Sequence, residues 1–279
     1  MNITKPALTA IAILCISACS STGKQDSVLT GKAAAMRCET LASLAPADTV
    51  IQSSELVAAG AFSPAAGGPP GFAPDYSTLP AFCRVVGSIH PAPDSDIRFE
   101  LWLPQDNWNG KFMQTGNGGA AGSIVISSMA EPLRRGYAVA NTDTGHQASG
   151  SGFSWGRETP DKLIDFAWRA VHELTVQGKA LTTTFYDQTP KLSYFNGCST
   201  GGRQGLKEAQ MFPGDYDAII AGAPANNWSR LMSLSIVIQT NIGADKLRPE
   251  HLNLLKESAI AACDMIDGVQ DRVISNPAA

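Results

Sequence analysis

The chain has 279 residues, 44% of them hydrophobic and 16% charged, against roughly 25% charged in an average soluble protein. That apolar content excludes wholesale disorder, and the length fits one large α/β domain or one domain plus part of another. A formal net charge of -4 leaves no basic field, so nucleic acid is not an expected partner.

Residues 1–18 read as a signal peptide: Lys5 precedes an apolar run from Ala7 to Ala18, too short to span a bilayer. The run ends Ile16-Ser17-Ala18-Cys19, which resembles a bacterial lipobox with Cys19 as the lipidated residue. An ordinary secretory signal that contains a Cys is the alternative. Either way export is expected, as an outer-membrane lipoprotein or a periplasmic or secreted protein, with membrane contact only through the lipid. Residues 19–35, small and polar over most of their length, form the tether.

Export shapes the cysteine arithmetic. Cys38, Cys83, Cys198 and Cys263 remain, and in an oxidising compartment four cysteines suggest two disulfides with three connectivities. No CxxC pair or Cys/His cluster exists, so no zinc site is expected.

Residues 60–80 are dense in Pro and Gly and read as a loop. Strands are predicted at Phe82–Ile89, at the strictly alternating Ile97–Leu103, and at Lys111–Thr115, which runs into Gly116-Asn117-Gly118-Gly119. Tyr137–Ala140 reads as a buried strand and Pro160–Thr183 as a helix, with Leu163, Ala167, Ala170, Val171, Leu174 and Leu181 on one face. Leu192–Asn196, Gly201–Met211 and Ala218–Ala221 then make a β-α-β unit, which implies a mostly parallel sheet with helices on both faces. After Pro224 two helices follow, Trp228–Ile242 and Pro249–Cys263, so a boundary is placed near residue 225.

The pattern G-x-S-x-G occurs twice, at Gly152–Gly156 and at Gly197–Gly201. A nucleophile elbow needs a strand leading into a sharp turn with Ser at its tip and a helix behind it. Ser199 has that context; Ser154 sits in a polar Gly/Ser loop. The plainer reading of Ser199 is a helix-capping serine. As nucleophile, Ser199 requires two oxyanion donors. One is the backbone N–H of Thr200, and the Gly116–Gly119 cluster is the candidate for the second, although it also reads as a plain tight turn.

At this point the residues resemble the tannase/feruloyl esterase family of α/β-hydrolases, which includes mono(2-hydroxyethyl) terephthalate hydrolases. Phe82-Cys83-Arg84-Val85, Trp108–Phe112, Gly116–Gly119, Thr142–His146, Leu163–His172, Phe195–Gly205 and Ile220–Ala225 carry the resemblance, which runs from about residue 36 to the last residue. It implies an α/β-hydrolase core over residues 36–225 and the start of an inserted lid at 226–279. It implies Ser199 as nucleophile, with backbone N–H groups of Thr200 and Gly119, beside Gly118, as the oxyanion hole. It implies a Cys38–Cys83 disulfide, and a Cys198 whose partner follows the catalytic His. It also implies a structural calcium ion in the lid, held by the carboxylates of Asp264, Asp267 and Asp271 and the carbonyls of Val269 and Val273; oxygen donors suit that hard cation. The plainer reading of this stretch is a solvated acidic turn.

The fold requires Asp and His after the nucleophile. After Ser199 the one histidine is His251, followed by Leu252 rather than Cys, and His90, His146 and His172 all precede Ser199. The chain therefore reads as the N-terminal half of a longer enzyme, with Cys198 and Cys263 unpaired and little activity expected from these residues alone. The expected function is a serine carboxylic ester hydrolase acting on small phenolic or aromatic acid esters. A non-catalytic exported lipoprotein that keeps the fold is the alternative, and a peptidase or lipase of the same fold a third reading.

Overall fold

A computed structural model describes residues 37–64, 74–147, 153–157, 159–242 and 248–276. The signal, lipobox and tether readings, Cys19 included, lie outside the described residues. Those residues form one seven-stranded sheet: β1 (Thr49–Val57), β2 (Phe82–Ile89), β3 (Ile97–Pro104), β4 (Lys111–Thr115), β5 (Ala138–Thr142), β6 (Leu192–Cys198) and β7 (Ala218–Gly222). The spatial order is β1-β2-β3-β5-β4-β6-β7. Strands β5, β4, β6 and β7 run parallel, and β1, β2 and β3 add an antiparallel wing. The sheet is thus mixed, and its parallel part is the part that carries the elbow.

Helices α1 (Ile126–Arg134), α2 (Pro160–Ile164), α3 (Ala170–Tyr186), α4 (Thr200–Met211), α5 (Trp228–Ile242) and α6 (Pro249–Cys263) accompany it, and residues 37–40 are helical as well. The long helix expected from Pro160 is real but interrupted by a π turn at Asp165–Arg169. Strand β1 and helix α1 were not expected.

Alternation along the strands divides the core in two. Ile97, Phe99, Leu101 and Leu103 of β3 join Cys83, Val85 and Ile89 of β2 and pack against Val171, Leu174, Leu181 and Phe185 of α3. On the opposite face Phe82, Trp102 and Val139 meet Met129, Ala130 and Leu133 of α1. Trp102 is fully buried, and its indole N–H donates to Glu100 Oε2 at 2.8 Å. Arg84 grips the same carboxylate with two hydrogen bonds, at 2.9 and 2.5 Å, so no charge is stranded in the second core. Cys38 and Cys83 form a disulfide, Cα to Cα 5.7 Å, that ties the first described turn to β2.

Candidate active site

Parallel pairing brings two loops to the same edge of the sheet. Thr115 at the end of β4 pairs with Asn196 of β6, and Gly116 N–H donates to Asn196 O at 2.9 Å. The loop after β4 and the turn after β6 therefore emerge side by side. Strands β5 and β6 flank β4 on opposite sides, so this edge is a topological switch point, where open α/β sheets place their ligands.

Ser199 stands at the tip of the turn between β6 and α4, exposed, with φ 60° and ψ -117°. A positive φ is costly for a non-glycine residue and persists only where its surroundings impose it. Here they do: Ser199 N–H donates to Gly222 O at 3.1 Å, and its carbonyl accepts from Arg203 N at 3.0 Å and Ala225 N at 3.1 Å. The flanking glycines are required by contact. A Cβ on Gly197 would lie 2.5 Å from the Gly201 backbone, and one on Gly116 would lie 2.6 Å from Gly201 Cα.

The loop after β4 is fastened to α4 at three points. Thr200 Oγ1 donates to Gly119 O at 2.5 Å, and Gly201 N–H donates to Asn117 O at 2.8 Å. Gln204 closes a two-way amide clasp with Asn117, accepting from its N–H and donating to its Oδ1, both at 3.0 Å. Thr200 opens the helix, so its N–H is one of the donors that helix geometry leaves without an internal partner. Gly118 and Gly119 are exposed, and a Cβ on either would meet nothing within 4 Å. The structure thus brings Ser199, Thr200, Gly118 and Gly119 together around open space.

A second layer supports this loop. His146 is buried and stacks on Trp155 at 3.6 Å, with Nε2 3.0 Å from Ala120 O. Burial holds its pKa below the ordinary value, and a carbonyl can only accept, so Nε2 carries the proton of a neutral ring. Neighbouring Asp143 accepts from Arg98 N–H, Gly145 N–H and Gln147 Nε2, yet burial raises its carboxyl to about 6.

The remaining histidines are engaged elsewhere. His90 bridges Ser88 and Ser95, His172 Nδ1 lies 2.7 Å from Asp215 Oδ2, and His251 Nδ1 accepts from Arg248 N at the start of α6. Ser154 is exposed in a short 3₁₀ turn with no strand before it among the described residues. Cys198 and Cys263 are free thiols. A cavity of about 570 Å³ lies beside α4, between Leu206, Phe166 and Trp228, but Ser199 does not line it. Arg203 spans its wall, its guanidinium 4.7 Å from the Phe166 ring and 5.5 Å from the Trp228 ring, and burial lowers its pKa to about 10.

Asp264 opens a 3₁₀ turn after α6 that closes at Gly268, whose φ of 87° suits only glycine comfortably. Asp267 accepts from Val269 N–H and Ser275 Oγ, and Asp271 accepts from Val273 N–H. Asp264 is buried and its Oδ1 has no partner. Among the described residues, the set of candidate ligand atoms lying within 4.8 Å of one another belongs to His172, Glu208 and Asp215, a group that could hold a metal ion. Asp264, Asp267 and Asp271 do not make such a set. The spacing of 172, 208 and 215 follows no motif, so the sequence offered no signal for it.

A parallel sheet with a strained serine at a strand-to-helix turn, facing a glycine loop at a switch point, defines an α/β-hydrolase-like fold of the esterase type. The chain belongs to the tannase and feruloyl esterase family, whose pattern matches residues 83–279. This is a family of carboxylic ester hydrolases. An uncharacterized esterase of Xanthomonas campestris pv. campestris is 40% identical over 258 residues, covering 90% of this chain and 43% of that protein. A probable feruloyl esterase B-1 of Aspergillus flavus is 41% identical over 200 residues, 70% of this chain and 37% of its own length. Among solved structures, feruloyl esterase B from Aspergillus oryzae superposes with a TM-score of 0.75 at 35% identity, covering 88% of this chain and 49% of that one. Tannin acyl hydrolase from Aspergillus niger gives 0.64 at 26% identity, covering 88% and 47%. The chain therefore spans less than half the length of these relatives.

Proposed function

We propose that this chain carries the nucleophile and oxyanion hole of a serine carboxylesterase that cleaves small phenolic or aromatic acid esters. The observation that carries the reading is Ser199 at φ 60°, clamped at the mouth of α4 against the Gly118–Gly119 loop. Ser199 Oγ attacks the ester carbonyl carbon, and the carbonyl oxygen takes up negative charge toward the N–H groups of Thr200 and Gly119 and the positive end of α4. The Ser199 proton passes through a base to the alcohol, which leaves as the acyl–Ser199 ester forms, and water then hydrolyses that ester to release the acid and restore the serine. A His base and an orienting Asp complete such a site; in this reading they belong to a part of the enzyme not among these 279 residues.

The lid loop fits a calcium ion by donor type and by the orphaned buried Oδ1 of Asp264. Asp264, Asp267 and Asp271, with the carbonyls of Val269 and Val273, would hold it, and its chemistry there is structural. Export with a lipid on Cys19 completes the proposal.

The test is a chimera that continues this chain with the remaining part of the Xanthomonas campestris relative. Ser199→Ala should abolish hydrolysis of methyl ferulate or methyl gallate, and Ser154→Ala should leave it intact. Full activity of the Ser199 variant would remove the mechanism.

A further inference from the structure

We infer that His172, Glu208 and Asp215 form a structural site for a divalent transition-metal cation, zinc being the natural probe, which pins α3, α4 and the turn before β7 to one another. The inference does not rest on the esterase reading. His172 lies in the first turn of α3, Glu208 in the last turn of α4, and Asp215 in the connection from α4 to β7. Three separate pieces of chain thus deliver one ligand each, and all the ligand atoms lie within 4.8 Å of one another.

The decisive residue is Glu208. It is 0% exposed, neither carboxylate oxygen has a hydrogen bond of good geometry, and burial together with the adjacent Asp215 carboxyl raises its pKa to about 8. Its polar neighbours are satisfied without it. Thr175 Oγ1 donates to Gln114 Oε1 at 2.9 Å, Tyr216 Oη donates to the same oxygen at 3.1 Å, and Gln114 Nε2 donates to Val171 O at 3.2 Å. Lys179, the nearby cation, donates to the backbone carbonyl of Asp215 and is not bonded to Glu208. A buried carboxylate with no counter-charge costs several kcal/mol, so the fold calls for a cation or a proton at this spot.

The donor set favours the metal and selects its type. Two carboxylates carry the charge that a divalent ion neutralises. An imidazole suits zinc and its neighbours in the first transition row, whereas calcium and magnesium prefer oxygen alone. The His172 ring is already held in a ligating position, since it stacks on Phe212 at 3.8 Å and its Nδ1 faces Asp215 Oδ2 at 2.7 Å. Ligands at about 2.0–2.2 Å from zinc stand roughly 3.3 Å apart, so this pair opens slightly on binding while Glu208 closes in. Glu208 is nine positions along α4 from Ser199, roughly 13 Å of helix rise, which makes the site a staple and not part of the catalytic centre.

The chain is purified through chelator, its free thiols, Cys198 and Cys263 among them, are all capped with iodoacetamide, and binding of Zn²⁺, Co²⁺ and Ca²⁺ is measured by equilibrium dialysis and thermal melting. One equivalent of zinc should bind and raise the melting temperature, and calcium should not compete for this site. Cobalt should give a visible absorption band that His172→Ala removes. Glu208→Gln, which keeps the side chain's shape, should weaken zinc binding by about tenfold or more. Zinc bound equally by wild type and both variants would overturn the site. Absence of bound zinc in the wild type would overturn it too, and would assign the buried carboxyl a proton instead.

Discussion

The hydroxyl of Thr200 donates to the carbonyl oxygen of Gly119 at 2.5 Å, across 81 positions of sequence. This one bond couples the turn that carries Ser199, the proposed nucleophile, to the loop that faces it. Thr200 is 1% exposed, so the bond is shielded from water and fixes the spacing of the two proposed oxyanion donors. Thr200→Val keeps the shape and removes the donor. In the completed chimera it should lower kcat by about tenfold to a hundredfold, the cost of a misplaced reacting group, with KM nearly unchanged. Thr200→Ser should restore most of the rate. A Val variant at full kcat would show that the loops hold their spacing without this bond.

Two glycines of the site separate packing from chemistry. A Cβ at position 197 would meet Gly201 backbone atoms at 2.5 Å, and one at position 118 would meet nothing. Gly197→Ala should therefore destabilise the fold by about 1–3 kcal/mol, the usual cost of overpacking. Gly118→Ala should leave the unfolding midpoint within about 0.5 kcal/mol of wild type, as a surface change does. Gly118 neighbours the proposed oxyanion donor Gly119, so a methyl added in that open space should cost activity instead. Urea unfolding of both variants, with ester hydrolysis in the chimera, decides the matter.

The β-α-β unit around Ser199 was legible because three periodicities follow one another within thirty residues, strand, helix and strand, with glycines where the turn is tight. Strand β1 was missed because Gln52-Ser53-Ser54-Glu55 breaks any apolar alternation. It is an edge strand with a bulge between Ile51 and Ser53, and edge strands carry polar residues as protection. Helix α1 did leave a signal, Ile126, Met129, Ala130 and Leu133 at helical spacing, but Pro132 inside the helix masked it. The π turn, the Gln204–Asn117 clasp and the His172–Glu208–Asp215 group depend on tertiary approach, which no local pattern encodes.

Asp143 gives a pH dependence of known sign. Burial raises its folded pKa to about 6, against 3.8 for the ordinary carboxyl. A raised acid contributes stability that is fully present below the unfolded pKa and lost as pH climbs through the folded one. Between pH 3.8 and 7 the wild type should thus lose about 3 kcal/mol relative to Asp143→Asn, which cannot ionise. Denaturant unfolding of both proteins at several pH values measures the difference. A constant gap across that window would mean that the hydrogen bonds from Arg98, Gly145 and Gln147 offset burial and leave the folded pKa at the unfolded value.

The acidic loop after α6 makes a metal prediction distinct from the His172 site. Asp264 Oδ1 is buried without a partner, and Asp267 and Asp271 stand within eight residues of it. Calcium bound to the folded loop stabilises by mass action. The chimera should melt lower in chelator and recover with calcium more than with magnesium, and Asp264→Asn should abolish the recovery. A calcium response that survives this substitution would place the ion elsewhere.

The last prediction concerns the 279-residue chain in solution. Strand β7 is the outer strand of the sheet, and its Ile220 is 63% exposed. Leu234, Ile236 and Val237 of α5 and Leu254 and Leu255 of α6 are each more than half exposed, which is a large apolar surface for two short helices. A bare strand edge and uncovered apolar side chains both favour association with further copies. The free thiol of Cys198 is exposed and that of Cys263 is partly exposed, so in an oxidising compartment they add mixed disulfides to that tendency. The chain should self-associate with rising concentration and show Cys198 and Cys263 as titratable thiols, with Cys38–Cys83 intact. Size-exclusion chromatography with light scattering, followed by a thiol count, reads both. A monomer at every concentration would show that these apolar faces are covered within the chain.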